Sequence, residues 1–69
     1  MRIIVLHDKY SNEPIVVSPN VITMIRKIKD EKGAEYSNIV VGTITMLDVK
    51  ETIGIVINKI KKAESEDEE

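Results

Sequence analysis

The sequence has no cysteine, no tryptophan and no phenylalanine, and its aromatic content is two tyrosines. Without thiols the chain has neither a disulfide nor a thiolate metal site, two devices by which small scaffolds are commonly stabilised. Apolar residues make up 42% of the 69-residue chain. With Ile and Val dominant, the core must be assembled from many branched side chains and not from a few aromatic anchors. A chain this short forms one domain and buries only roughly 60% of its unfolded surface. Oligomerisation is the remaining source of stability, which leads us to expect a homo-oligomer.

Long hydrophobic runs are also missing. Ile3 to Leu6 and Ile15 to Val17 fall far short of the ~20 residues of a membrane span, and neither has the features of a signal peptide. We therefore expect no membrane insertion. The lack of cysteine agrees with a reducing, cytoplasmic location. A formal net charge of −2 and a pI near 5.4 argue against a broad phosphate-binding surface.

Residues Arg2 to Leu6 form a β-branched apolar run that closes at His7-Asp8. The polar stretch Asp8 to Glu13 then reads as the turn of a hairpin. Pro14 to Val17 is its second arm, with proline where no ladder N–H is needed, and Ser18-Pro19-Asn20 ends it. Val21, Met24, Ile25 and Ile28 fall at i, i+3, i+4 and i+7, so periodicity favours a helix over 21–29, with Gly33 as its C-cap. The β-branched residues Val21, Ile22, Thr23, Ile25 and Ile28 favour a strand over the same span.

Tyr36 to Thr45 is rich in Ile, Val and Thr and reads as strand; with the run resuming to Val49 it is either two strands across a tight turn at Gly42-Thr43, the preferred reading, or one long strand kinked there. From Lys50 the period changes. Ile53, Val56, Ile57 and Ile60 form a helical stripe about three turns long, with Glu51 near its start and Lys59, Lys61 and Lys62 near its end, as the helix dipole favours. Ile55 lies off the stripe and is a candidate subunit contact. The acidic run Glu64 to Glu69 has no apolar residue and is expected to be disordered. The organisation is thus a domain over 1–63 and a tail over 64–69.

The segment Glu13 to Ile22, followed by Asp48-Val49-Lys50-Glu51-Thr52 and an amphipathic helix, resembles the FlbD family of small flagellar and swarming-motility proteins. In that family an apolar strand is followed by a second strand, an Asn-Pro-Asp-like turn and an Ile, and later by a Val-Lys-Glu-Ser-like step into a C-terminal helix. Here Pro19-Asn20 stands in the turn and Val49-Lys50-Glu51-Thr52 at the step. The Asp8 to Asn12 turn is longer than the family's, and the Gly42 to Val49 stretch has gained residues. Related short proteins occur in phages and mobile elements. The resemblance implies a short turn and then a strand over 21–29, a motility-associated role or a phage-type accessory one, and overrides the helical periodicity.

Chemistry-bearing patterns are sparse. His7, the single histidine, adjoins Asp8, but neighbours on a strand point to opposite faces, so the two do not converge on one ion or substrate. No nucleophile-base order, Gly-rich phosphate loop or metal-ligand spacing is present, so neither catalysis nor a cofactor is expected. Arg26, Lys27, Lys29 and Lys32 form the densest basic group, and a nucleic-acid-binding small barrel built on them is the alternative reading. No aromatic is interleaved with them for base stacking. Met24 and Met46 read as core fillers.

Together these patterns predict an α+β fold, a small antiparallel sheet or partial barrel of about five strands with a C-terminal helix covering one face. The expected function is a non-catalytic protein-interaction or regulatory module. Arg26, Lys27, Lys29, Lys32 and Ile55 are its candidate contact residues.

Overall fold

A computed structural model describes residues 2–66, with the backbone alone described at Glu66. Five antiparallel strands precede one helix: β1 (Ile4–His7), β2 (Pro14–Val17), β3 (Ile22–Lys29), β4 (Glu35–Val41), β5 (Thr45–Val49) and α1 (Ile53–Glu66). The α+β expectation holds, but the strands do not close into a barrel. They form a β1-β2 hairpin and a β3-β4-β5 meander. The two sheets meet at one bridge, Asp8 to Val49. It is flanked by hydrogen bonds from the Lys9 amide to the Asp48 carbonyl and from the Lys50 amide to the His7 carbonyl, both 2.9 Å.

Residues 21–29 are not helical. A single 3-10 turn, Pro19–Val21, leads into β3. The residues with helical spacing do not share a face: Val21 lies in the turn, Met24 and Ile28 pair with Val40 and Tyr36 on one side of the sheet, and Ile25 pairs with buried Ile39 on the other. The strand also carries a bulge, since Ile22 pairs with Val41 but Met24 with Val40, so Thr23 is an extra residue in the ladder. Its hydroxyl donates to the carbonyls of Gly42 (2.9 Å) and Val40 (3.3 Å). The inserted residue shifts the alternation by one, so Ile22 and Ile25 share the core face despite lying three apart. Gly33 is accordingly not a helix cap. It takes the left-handed φ of 86° in the hairpin turn after β3, where Asp30 Oδ1 accepts from the amides of Lys32 and Ala34, each at 2.9 Å. Gly42 (φ 66°) opens the turn between β4 and β5.

The core consists of Ile4 and Leu6 from β1, Val17 from β2, Ile39 from β4, Val49 from β5, and Val56 and Ala63 from the helix. Along α1 the buried seam is therefore Val56 and Ala63, with Ile53 and Ile60 half-buried. Ile57, expected on the covered stripe, is 41% exposed. Within the described residues the helix spans 14 residues, Ile53–Glu66. Residues 64–66, expected as disordered tail, are thus helical, and Lys59, Lys61 and Lys62 lie inside the helix. The remainder of the acidic run, 67–69, lies outside the described residues. No helix among the described residues is long and apolar enough to cross a membrane.

Candidate interaction surface

The helix and the β1-β2 hairpin cover one face of the meander, and the opposite face carries an ordered set of side chains. Residues directly paired across antiparallel strands share a face, so the register defines three rows. The first is Met24, Val40 and Met46; the second is Arg26, Asn38 and Asp48; the third is Ile28 and Tyr36.

The middle row is hydrogen-bonded throughout. Arg26 Nη2 donates to Asn38 Oδ1 at 2.7 Å, and Asn38 Nδ2 donates to Asp48 Oδ1 at 2.8 Å. A carboxylate only accepts and a guanidinium only donates, so the order of partners determines which way the Asn38 amide points. Asn38, the central member of the row, is buried. Tyr10 completes it from the hairpin loop, its hydroxyl donating to Asp48 Oδ2 at 3.2 Å. The charge of Asp48, with some loss of water, raises the Tyr10 hydroxyl above its ordinary pKa.

The loop that delivers Tyr10 is tied down locally. Asp8 Oδ2 accepts from the amides of Ser11 (2.8 Å) and Tyr10 (2.9 Å), and these two bonds hold the Asp8 carboxyl below its usual value. Lys50 Nζ reaches Asn12 Oδ1, at 2.6 Å, from beyond β5. The loop also places the Lys9 ammonium 4.6 Å from the centroid of the Tyr36 ring and 5.0 Å from that of Tyr10. A cation at this distance from a ring face is attracted by its quadrupole.

Beside this polar row, the apolar row is open. Met24 is 52% exposed, Met46 61%, and Ile44 in the adjoining turn 86%. The expectation that Met24 and Met46 fill the core is thereby overturned: both are more than half exposed and belong to the outer row of the register. Sheet faces uncovered by a helix are commonly polar, and unbranched Met on such a face suits an adaptable contact.

The basic group selected from the sequence does not form one patch. Arg26 lies in the outer middle row, while Lys27 pairs with buried Ser37 and so stands on the core side of the sheet, at its free margin. Lys29 follows Lys27 on that side, opposite Glu35, and Lys32 sits in the β3-β4 turn. Ile55, 48% exposed, is on the helix, beyond the core from the outer face of the sheet. It lines a shallow depression with Gly54, Asn58, Lys59 and Lys62. Asn38, Lys9 and Tyr10 were not singled out from the sequence, and Asp48 entered only as the first residue of the Asp48-Val49-Lys50-Glu51-Thr52 segment, not as a contact residue. Only the register and the loop bonds bring the four together.

His7 and Asp8 diverge, as strand geometry predicts. His7 turns instead to Glu51, 44 positions away: Glu51 Oε1 accepts from the His7 amide at 2.9 Å, and Oε2 lies 2.7 Å from Nδ1. Glu51 is 8% exposed, just before the helix. Burial alone would raise its carboxyl, but the bonds from the His7 ring and amide outweigh it and hold the group below its ordinary value. The ionised carboxylate accepts only, so Nδ1 carries the proton in this contact. The pair fastens β1 to the start of α1, and Ser37 Oγ adds a 2.8 Å bond to the Glu51 carbonyl.

Comparison with family models, with curated proteins and with solved structures finds no match to this chain.

Proposed function

We propose that this chain is a non-catalytic protein-interaction module that docks through the outer face of β3, β4 and β5. The observation that carries this reading is the pairing of a pre-ordered polar row, Arg26-Asn38-Asp48-Tyr10, with an exposed apolar row containing Met24 and Met46. Arg, Tyr and Met are enriched at protein interfaces, and side chains already held in one geometry lose little entropy when a partner arrives.

The first partner this face suits is a second copy of the chain. A two-fold axis through such an interface makes each patch meet itself. The middle row carries both signs, so Arg26 of one copy can face Asp48 of the other, while the methionine rows close against each other. The resemblance to the FlbD family would place such a module among motility-associated or phage-type accessory factors.

Light scattering at low and high salt tests the reading. The expected mass is about twice the 7.8 kDa of the chain at both salt concentrations, because burial of apolar side chains is not screened as exposed charge pairs are. Met46→Glu, on an exposed position, should return the mass to that of one chain while leaving the circular dichroism spectrum unchanged. A wild-type mass of one chain would remove the second copy as the partner, and an unchanged dimer in Met46→Glu would remove this face as the contact.

A further inference from the structure

The meander has one neighbour missing. β3 is an eight-residue strand that pairs with β4 on one side, and no other strand joins its far side among the described residues. Such an edge offers a row of unpaired N–H and C=O groups to any extended chain. Beneath it, on the core side, lies an apolar cleft of ≈ 370 Å³ between the strand and the helix, lined by Ile22, Ile25, Ile53, Ile57 and Ile60 among others. The exposure of Ile57 follows from this gap: its stripe on α1 looks towards a space that nothing in the described chain fills.

Resting on the interaction-module reading, we infer that the β3 edge and this cleft bind an extended segment of a partner protein by strand addition, apolar side chains entering the cleft and acidic ones lying beside Lys27 and Lys29. Alternate residues of an added strand point to the same face at a spacing of roughly 7 Å, so two inward apolar side chains suit a cleft of this size. The charge selects the occupant. β3 contains three cations, Arg26, Lys27 and Lys29, and no carboxylate. Glu35, opposite Lys29, is on β4, one strand in from the edge.

Lysines on an edge and a bulge near one end are devices that discourage two identical edges from joining. Both are present here, with the bulge confined to Thr23, so Met24 to Lys29 remains regular. A second copy would bring its cations to the same edge, whereas an acidic strand would neutralise them. The chain's own acidic run, Glu64 to Glu69, has no apolar residue to enter the cleft.

The probe is a fluorescein-labelled synthetic peptide of alternating valine and threonine that closes on Glu-Asp-Glu, titrated into the full chain and followed by anisotropy. Saturable binding is expected. The double variant Lys27→Glu with Lys29→Glu should bind it roughly tenfold more weakly, two exposed charge contacts each changing sign. The same variant should prefer a peptide ending in Lys-Arg-Lys, saturably and with the same dependence on free peptide amides, which net charge alone cannot produce. Methylating alternate backbone nitrogens of the peptide should abolish binding, because it removes ladder donors and leaves the charge intact. Met46→Glu should bind the peptide as wild type does, so loss of the outer-face contact and loss of the edge site are separately visible.

The inference is overturned if the wild-type chain does not bind the peptide, if the methylated peptide binds equally well, or if charge reversal leaves the preference unchanged. It is also overturned if, without peptide, the amides of Met24 to Lys29 that face away from β4 become protected as protein concentration rises.

Discussion

Replacing Glu51 with alanine removes the buried carboxylate that joins β1 to the start of the helix. Two contacts disappear, the 2.9 Å bond from the His7 amide and the 2.7 Å contact with its ring. Hydrogen bonds to a charged partner are worth about 1.5–3 kcal/mol each in a protein, less where one partner meets water. His7 is half-buried, so its amide and ring regain part of their hydration, and we expect Glu51→Ala to cost about 2–4 kcal/mol. Glu51→Gln keeps the shape and one acceptor but loses the charge, and should cost about 1–2 kcal/mol.

A domain of this length holds roughly 3–10 kcal/mol in all. With a urea slope of about 1 kcal/mol/M, the midpoint should fall by about 2–4 M for the alanine variant. The pH dependence gives an independent check. The folded-state carboxyl of Glu51 lies below its ordinary value of 4.5, so its contribution is fully present above that value and is lost as pH falls through the lower folded pKa. The gap in stability between wild type and Glu51→Gln should therefore shrink on acidification below pH 4.5. A loss under about 0.5 kcal/mol in Glu51→Ala, within the range of ordinary surface substitutions, would refute the reasoning. So would a gap that widens on acidification below that pH.

Other consequences are as direct. Asp48→Asn removes the charge that raises the Tyr10 hydroxyl, so in a Tyr36→Phe background the single phenol should titrate at lower pH by ultraviolet absorbance. An unchanged titration would place Tyr10 away from Asp48. Gly33→Ala puts a side chain where φ is 86° with no atom within 4 Å of the new Cβ. The cost is then backbone strain alone, about 1 kcal/mol after the gain from a stiffer unfolded chain. Gly33→Asn, which tolerates this conformation better, should lose less in the same urea titration, and equal losses would point to a cause other than φ.

Much of the fold follows from local signals. Pro14 and Pro19, the Gly42 turn and the change of period after Lys50 delimit elements whose bounds the structure reproduces within a few residues. These signals depend on one residue's allowed φ or on which side chains recur on one face, and both are properties of short stretches. The candidate surface is less legible. Of the residues selected from the sequence, Arg26 alone belongs to the outer face, because charge clustering along a strand ignores that neighbours point to opposite sides.

What the sequence by itself determined is the inventory: strands, a terminal helix, a branched aliphatic core and no thiol chemistry. Tertiary structure decided the rest, and β3 shows why. Val21, Met24, Ile25 and Ile28 have helical spacing, yet the register puts Met24 and Ile28 on one face of the strand and Ile25 on the other, while one bulged residue at Thr23 brings Ile22 onto the face of Ile25. The Glu51-His7 contact spans 44 positions, and the Arg26-Asn38-Asp48 row spans three strands. Such pairings are chosen by register and by how the hairpin, sheet and helix bury their apolar faces together, and no local pattern encodes which distant partner the burial brings into reach.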